Sequence, residues 1–216
     1  MKLGPLIRRL LPAGLETMAA KAYRAVFVDL DKVALQLAKA LPGDANVLDI
    51  GGGDGELLNR LLAMRTDVRV TMVDIAPSVG RFLLPQYRER VRLLPGTTIQ
   101  AHLLTLHGQN RKYDAAIVVD VMHHIPGGQR ESFLGEVHEA LAPGGVLLIK
   151  DVEPGHLRAT LGYLCDRYIS GDRGVALISI TELSDLVARI APGRGVSEVG
   201  LLQEDRPNYL IRIGAA

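Results

Sequence analysis

Apolar residues recur along this chain in two alternating rhythms. Val26, Leu30, Val33, Leu37 and Leu41 stand three and four positions apart, which predicts helix over 16–41, stopped by Pro42-Gly43-Asp44. NVLDI (46–50) is a short apolar run ending at a glycine cluster and predicts a buried strand. Leu57, Leu58, Leu61 and Leu62 then predict a helix over 55–65. The alternation continues with a strand at 68–75, a helix at 77–90 cut by Pro85, and a weak strand at 91–95. DAAIVVDVM (114–122) is a strand apolar on both faces, and Phe133, Leu134, Val137 and Leu141 mark a helix over 129–142, ended by Pro143-Gly144-Gly145. GVLLIKDV (145–152) is a strand. Leu157, Leu161, Leu164 and Tyr168 predict a helix that stops at Gly171. Leu183, Leu186, Val187 and Ile190 predict the last helix, with Ser179 and Glu182 at capping-box spacing. VSEVGLLQ (196–203) and NYLIRIG (208–214) close the chain as strands.

Strands that alternate with helices and are apolar throughout imply a doubly wound α/β fold, a mostly parallel sheet with helices on both faces. The last two strands are separated only by Glu204 to Pro207, too few residues for a parallel crossover, so they form an antiparallel hairpin. A chain of 216 residues buries about 70% of its surface on folding, enough for one core. The expected division is an N-terminal helical cover over 1–43 and a main domain over 44–216, with a helical cover insert at about 155–180.

Lys and Arg number 25 against 24 Asp and Glu, a near-zero balance that disfavours nucleic acid as partner. The single cysteine, Cys165, excludes an intrachain disulfide and gives no support to a cysteine-rich zinc site; no metal site is expected. Arg8 and Arg9 interrupt the apolar start, so no signal peptide is read there, and no run reaches the ~20 apolar residues of a membrane span. The cytoplasm is the expected compartment. Leu3, Leu6, Ile7, Leu10 and Leu11 form an amphipathic stripe suited to docking on the body or in a homodimer, or to contact with a membrane surface.

Chemistry concentrates where the first strand meets its helix, since such sheets bind ligands at the carboxyl ends of their strands. Gly51, Gly53 and Gly55 let the backbone turn tightly and approach a ligand. Glu56 stands where a dinucleotide fingerprint needs its third glycine, which disfavours a pyrophosphate; Asp49 and Asp54 suit a cationic or zwitterionic ligand better. Asp74, nineteen residues after Gly55 at the end of the second strand, can accept both hydroxyls of a ribose.

With VLDIGGGDG (47–55), VDI (73–75), YDAAIVVDVMHHIP (113–126) and LAPGGVLLIKDVEP (141–154), the chain resembles a class I S-adenosylmethionine-dependent methyltransferase. The resemblance implies a seven-stranded sheet with an antiparallel last strand, S-adenosylmethionine as cofactor and S-adenosylhomocysteine as product. It implies that Asp49, Ile50, Gly51, Gly53 and Gly55 lie against the amino-acid part, Asp74 holds the ribose, and Ile75 packs on the adenine. Thr97 or Thr98 takes the place where such enzymes often carry an acidic residue, and Asp120 and Val121 line the sulfonium end.

Methyl transfer needs a base only where the nucleophile arrives protonated. His123 and His124 follow the fourth strand and are the candidates; His102, His107, His138 and His156 are expected on the surface. Asp151 and Glu153 end the fifth strand at the expected cleft rim, where Asp151 is a candidate substrate contact. Tyr23, Phe27, Tyr163 and Tyr168 lie on the two cover segments and are candidates for the acceptor pocket. The base-methylation motif Asn/Asp-Pro-Pro-aromatic is absent, and Cys165 follows Leu164 rather than a proline. A small organic acceptor remains, with oxygen favoured. The alternative is a cofactor-binding protein of this fold without methyl transfer.

Overall fold

The computed structural model describes residues 28–107, 112–156, 159, 174–203 and 206–215. Seven strands form one sheet in the order β3-β2-β1-β4-β5-β7-β6. They are β1 (Asn46–Ile50), β2 (Arg69–Asp74), β3 (Val91–Pro95), β4 (Tyr113–Val119), β5 (Leu141–Val152), β6 (Arg194–Gln203) and β7 (Arg206–Ala215). Neighbours from β3 to β5 pair in parallel, while β7 runs antiparallel to both β5 and β6. The sheet is therefore the expected one, with the hairpin forced by a connection too short to cross over.

Alternation of side chains along each strand builds two cores. On one face Val47, Val70, Met72, Ile117 and Leu148 meet α1 (Leu30–Ala40) and α2 (Glu56–Met64) through Val33, Leu37, Leu58, Leu61 and Leu62. On the other, Leu48, Ile50, Val118, Ile149 and Ile211 meet α3 (Ile99–Leu106), α4 (Arg130–Ala140) and α5 (Ile180–Ile190). Each fully buried leucine of these layers contributes about 1.5–3 kcal/mol through removal from water. Arg65, at the C-terminal end of α2, ties the end of α1 to α2. Its guanidinium donates to the carbonyls of Ala38 and Leu41, each at 2.9 Å, and to that of Pro42, and pairs with Asp67 at 2.6 Å. The capping box of α5 forms, with Ser179 Oγ accepting from Glu182 N at 3.2 Å and Glu182 Oε2 accepting from Ser179 N at 2.9 Å.

Four local expectations are corrected. Residues 77–90 are not an α-helix; only Pro85–Arg90 forms a 3₁₀ turn. The stretch before it is tied to the glycine turn, with Gly80 N donating to Gly53 O at 2.9 Å and Phe82 N to Asp54 O at 2.8 Å. α3 was not expected, because His102 fills one of its inward positions and breaks the apolar repeat of Ile99, Leu103 and Leu106. His102 is buried rather than on the surface, its Nε2 2.8 Å from Tyr113 Oη, and burial together with the charge of Arg92 pushes its pKa down. β4 stops at Val119 rather than continuing to 122, since Asp120 turns out of the ladder with φ 55°. Leu141 opens β5 instead of ending α4 and lies opposite Tyr113.

The described part of the predicted cover, α1, lies in the helical layer beside α2. Residues 1–27 and most of 157–173, including the expected helix and Cys165, lie outside the described residues, as does the stripe at 3–11. Among the described residues no helix is long and apolar enough to cross a membrane.

Candidate functional site

The carboxyl ends of β1, β2, β4 and β5 converge on one edge. At β1, Gly51 N donates to Val73 O at 2.8 Å, and the chain then reverses. Gly51 adopts φ 74°, and a Cβ there would collide with Val121 of the turn after β4, so glycine is required both by conformation and by contact. Gly52, not singled out in the sequence, has no room either: a Cβ would strike Asp49 Oδ2 and Met72 Cε. Gly55, at φ 85°, starts α2 and leaves its first N–H groups facing the edge.

Asp74 staples this turn. Its Oδ2 accepts from Gly53 N at 3.0 Å and its Oδ1 from Ala76 N at 2.8 Å. It caps no helix, since none follows. Thr97 N donates to Asp74 O at 2.9 Å, which brings the end of β3 to the same place, and Thr97 Oγ1 donates to Pro95 O at 3.2 Å. Thr98 caps α3, its hydroxyl accepting from Ala101 N. Ile75 is 78% exposed, an uncovered apolar side chain beside Asp74. Asp49 is buried, and burial reinforced by the negative charge of Asp74 raises its pKa from 3.8 to about 7.

The second half of the edge carries the histidines. Alternation along β5 turns Leu147, Ile149 and Asp151 to one core and Val146, Leu148 and Lys150 to the other. Asp151 has no exposed surface, so it is not a solvated residue of the rim. Its Oδ1 lies 2.7 Å from His123 Nδ1 and also accepts from Val152 N at 2.7 Å, while Oδ2 accepts from His123 N at 3.2 Å. Burial alone would raise the Asp151 pKa; the positive field and hydrogen bond of His123, with help from Lys150, outweigh it and hold the group below its ordinary value. The His123 ring is buried and His124, whose ring centre is 4.1 Å away, is exposed. His123 O accepts from Ala176 N at 2.9 Å. Glu153 caps α5, accepting from Ile180 N at 2.9 Å.

These features match known proteins. Residues 48–147 match the family model described as a methyltransferase domain. Demethylluteothin O-methyltransferase of Streptomyces thioluteus is 31% identical over 106 residues, 48% of this chain and 44% of that protein. Acetylserotonin O-methyltransferase of Rattus norvegicus is 30% identical over 107 residues, 48% of this chain and 23% of that protein. The match spans less than half of either relative's length. The same fold is found in the mitomycin 7-O-methyltransferase MmcR, at TM-score 0.67 and 23% identity over 87% of this chain and 54% of that one. It is found again in an O-methyltransferase from neocarzinostatin biosynthesis, crystallised with S-adenosylmethionine and 2-hydroxy-5-methyl naphthoic acid, at TM-score 0.61 and 22% identity over 83% of this chain and 52% of that one.

Of the candidate site residues, the sheet brings Asp49, Ile50, Gly51, Gly53, Gly55, Asp74, Ile75, Thr97, Asp120, Val121, His123, His124 and Asp151 to this one edge. Tyr23, Phe27, Tyr163 and Tyr168 lie outside the described residues. Sequence reasoning missed three buried polar groups here. Lys150 has no exposed surface and places Nζ 2.5 Å from Asp120 Oδ1. Arg130 donates to Ile125 O at 3.1 Å and to Ala176 O, tying the histidine turn to the segment before α5. Tyr209 donates to Ile178 O at 3.1 Å, and burial, with the charges of Asp151 and Glu153, pushes its pKa up. A charge inside the apolar run GVLLIKDV was the one available signal for Lys150.

Proposed function

We propose that this domain transfers a methyl group from S-adenosylmethionine to an oxygen of a small organic acceptor, leaving S-adenosylhomocysteine. The observation that carries the reading is the buried 2.7 Å contact between His123 Nδ1 and Asp151 Oδ1, set beside the glycine turn. The residues fit the cofactor. A buried carboxylate raised to about 7 gains from a cation, which suits the ammonium at Asp49, with Ile50 and the backbone at Gly51, Gly53 and Gly55 around it. Each Asp74 oxygen accepts one backbone N–H and retains a second lone pair for ribose hydroxyls. Ile75 offers an open apolar face to the adenine, next to Thr97, and Asp120 and Val121 line the sulfonium end.

The cofactor supplies the activated methyl group; the chain supplies orientation and proton transfer. With Nδ1 donating to Asp151, the His123 ring is fixed in place and Nε2 is the atom assigned to take the acceptor's proton. Asp151 stabilises the ring once charged and touches the acceptor only through it. A phenol, with pKa ~10, is within reach of an imidazole base. The hydroxylated aromatic acid bound by the neocarzinostatin-pathway enzyme supports an aromatic acceptor. Tyr23, Phe27, Tyr163 and Tyr168 are proposed to line its pocket, and the cytoplasm and a homodimer are the proposed setting, the latter checked by light scattering on the full chain.

The test has two arms. Calorimetry with S-adenosylhomocysteine shows binding by the full chain; no binding removes the reading. Labelled methyl transfer to a panel of phenols shows turnover that His123→Ala lowers by about 10²–10⁴ with cofactor affinity kept, whereas His124→Ala stays within about tenfold. Cofactor binding with no transfer to any acceptor instead favours a binding protein of this fold.

A further inference from the structure

We propose that Lys150 and Asp120 form a positioning pair that holds the turn carrying His123 and balances the charge around it. The inference rests on the reading of His123 as the base. Val119 lies opposite Lys150 in the β4–β5 ladder, and Asp120 is the first residue beyond it. Lys150 grips Asp120 at two points: Asp120 N donates to Lys150 O at 2.9 Å, and Lys150 Nζ donates to Asp120 Oδ1 at 2.5 Å. Between these bonds Asp120 takes φ 55°, a left-handed conformation that aspartate tolerates better than most residues but does not choose unaided. The turn it starts brings Val121 against Gly51 and then forms the 3₁₀ turn Met122–His124. A fully buried ammonium on the Val146–Leu148 face has strong reason to keep its carboxylate. The clasp is thus maintained by the cost of breaking it.

The same pair sets the field. Asp120, His123 and Asp151 each bring one nitrogen or oxygen to within 4.8 Å of the others. Two uncompensated carboxylates beside one imidazole would hold it protonated and spoil it as a base. Lys150 cancels one of them, so the imidazole faces the charge of Asp151 alone. The other polar groups packed here are His124 on the same turn, Tyr209 on β7, Arg130 on α4, and Glu153 after β5.

The experiment follows the His123 ring by NMR through a pH titration of the full chain, with the signal assigned by its loss in His123→Gln. Lys150→Met raises the midpoint by about one pH unit, since a cation is lost and a carboxylate is freed. The double variant Lys150→Met/Asp120→Asn returns it to within about 0.3 of the wild-type value, because charge balance is restored. Lys150→Arg keeps the midpoint. With a working acceptor, the acidic limb of kcat/KM moves by the same amount. An unchanged midpoint in Lys150→Met, or a double variant displaced as far as the single, overturns the inference. Where Lys150→Met does not fold, Asp120→Asn carries the test: a lowered midpoint is expected, and an unchanged or raised one overturns it. If His123→Ala keeps full turnover, the reading of His123 fails; if it abolishes turnover while Lys150→Met leaves the midpoint in place, only the positioning pair fails.

Discussion

Replacing Asp49 by Asn stabilises the cofactor-free protein and weakens its cofactor binding. In the folded chain the Asp49 carboxyl titrates at about 7, against 3.8 for an ordinary one, because burial and Asp74 disfavour the anion. Between these values the folded state holds a proton that the unfolded state has lost, so the stability contributed by Asp49 falls as pH rises through the window. Each pH unit within it is worth about 1.4 kcal/mol. From pH 5 to pH 8 the advantage of Asp49→Asn over wild type therefore grows by about 3 kcal/mol, flattening above pH 7. Urea denaturation of both proteins at pH 5, 6, 7 and 8 measures this difference directly. With the cofactor ammonium placed at Asp49 as proposed, the ionised carboxylate is favoured, and the same substitution is expected to lower S-adenosylhomocysteine affinity at pH 8 by about tenfold or more. A stability difference that stays flat with pH, or a wild type more stable than the variant at pH 8, refutes the reasoning.

Three further outcomes follow from the geometry. Gly51→Ala lowers the thermal midpoint more than Gly53→Ala, since the first meets Val121 and the second meets open space, with only backbone strain in common. Arg65→Met removes the charged donor to three carbonyls at the end of α1 and lowers the midpoint by about 4–8 °C, read by circular dichroism. Tyr209→Phe leaves the carbonyl of Ile178 without its buried donor and costs about 1–2 kcal/mol in urea denaturation, with a slope unchanged from wild type.

Much of the fold was legible because its signals are local. An apolar run of five residues that ends at glycine marks β1, and a connection far too short for a crossover leaves only a hairpin between the last two strands. The glycine turn of the candidate site was legible for a related reason. The glycines are imposed by positive φ and close approach, and the acidic residues at the strand ends sit at short, countable separations from them. The region 77–90 misled because its helical spacing is overridden by hydrogen bonds from Gly80 and Phe82 to a turn far back in the chain. α3 was missed because a buried histidine looks polar until Tyr113 supplies its partner.

By itself, then, the sequence determined the alternation of strands and helices, the closing hairpin, the glycine turn with Asp49 and Asp74, and the short run that carries the paired histidines. Tertiary structure alone set buried His123 apart from exposed His124, placed buried Asp151 beside the His123 ring, and joined Lys150 to Asp120. The reason is physical. Periodicity and turn chemistry act between residues near in sequence, whereas charge pairing and burial depend on strands thirty residues apart meeting in register, as Val119 meets Lys150.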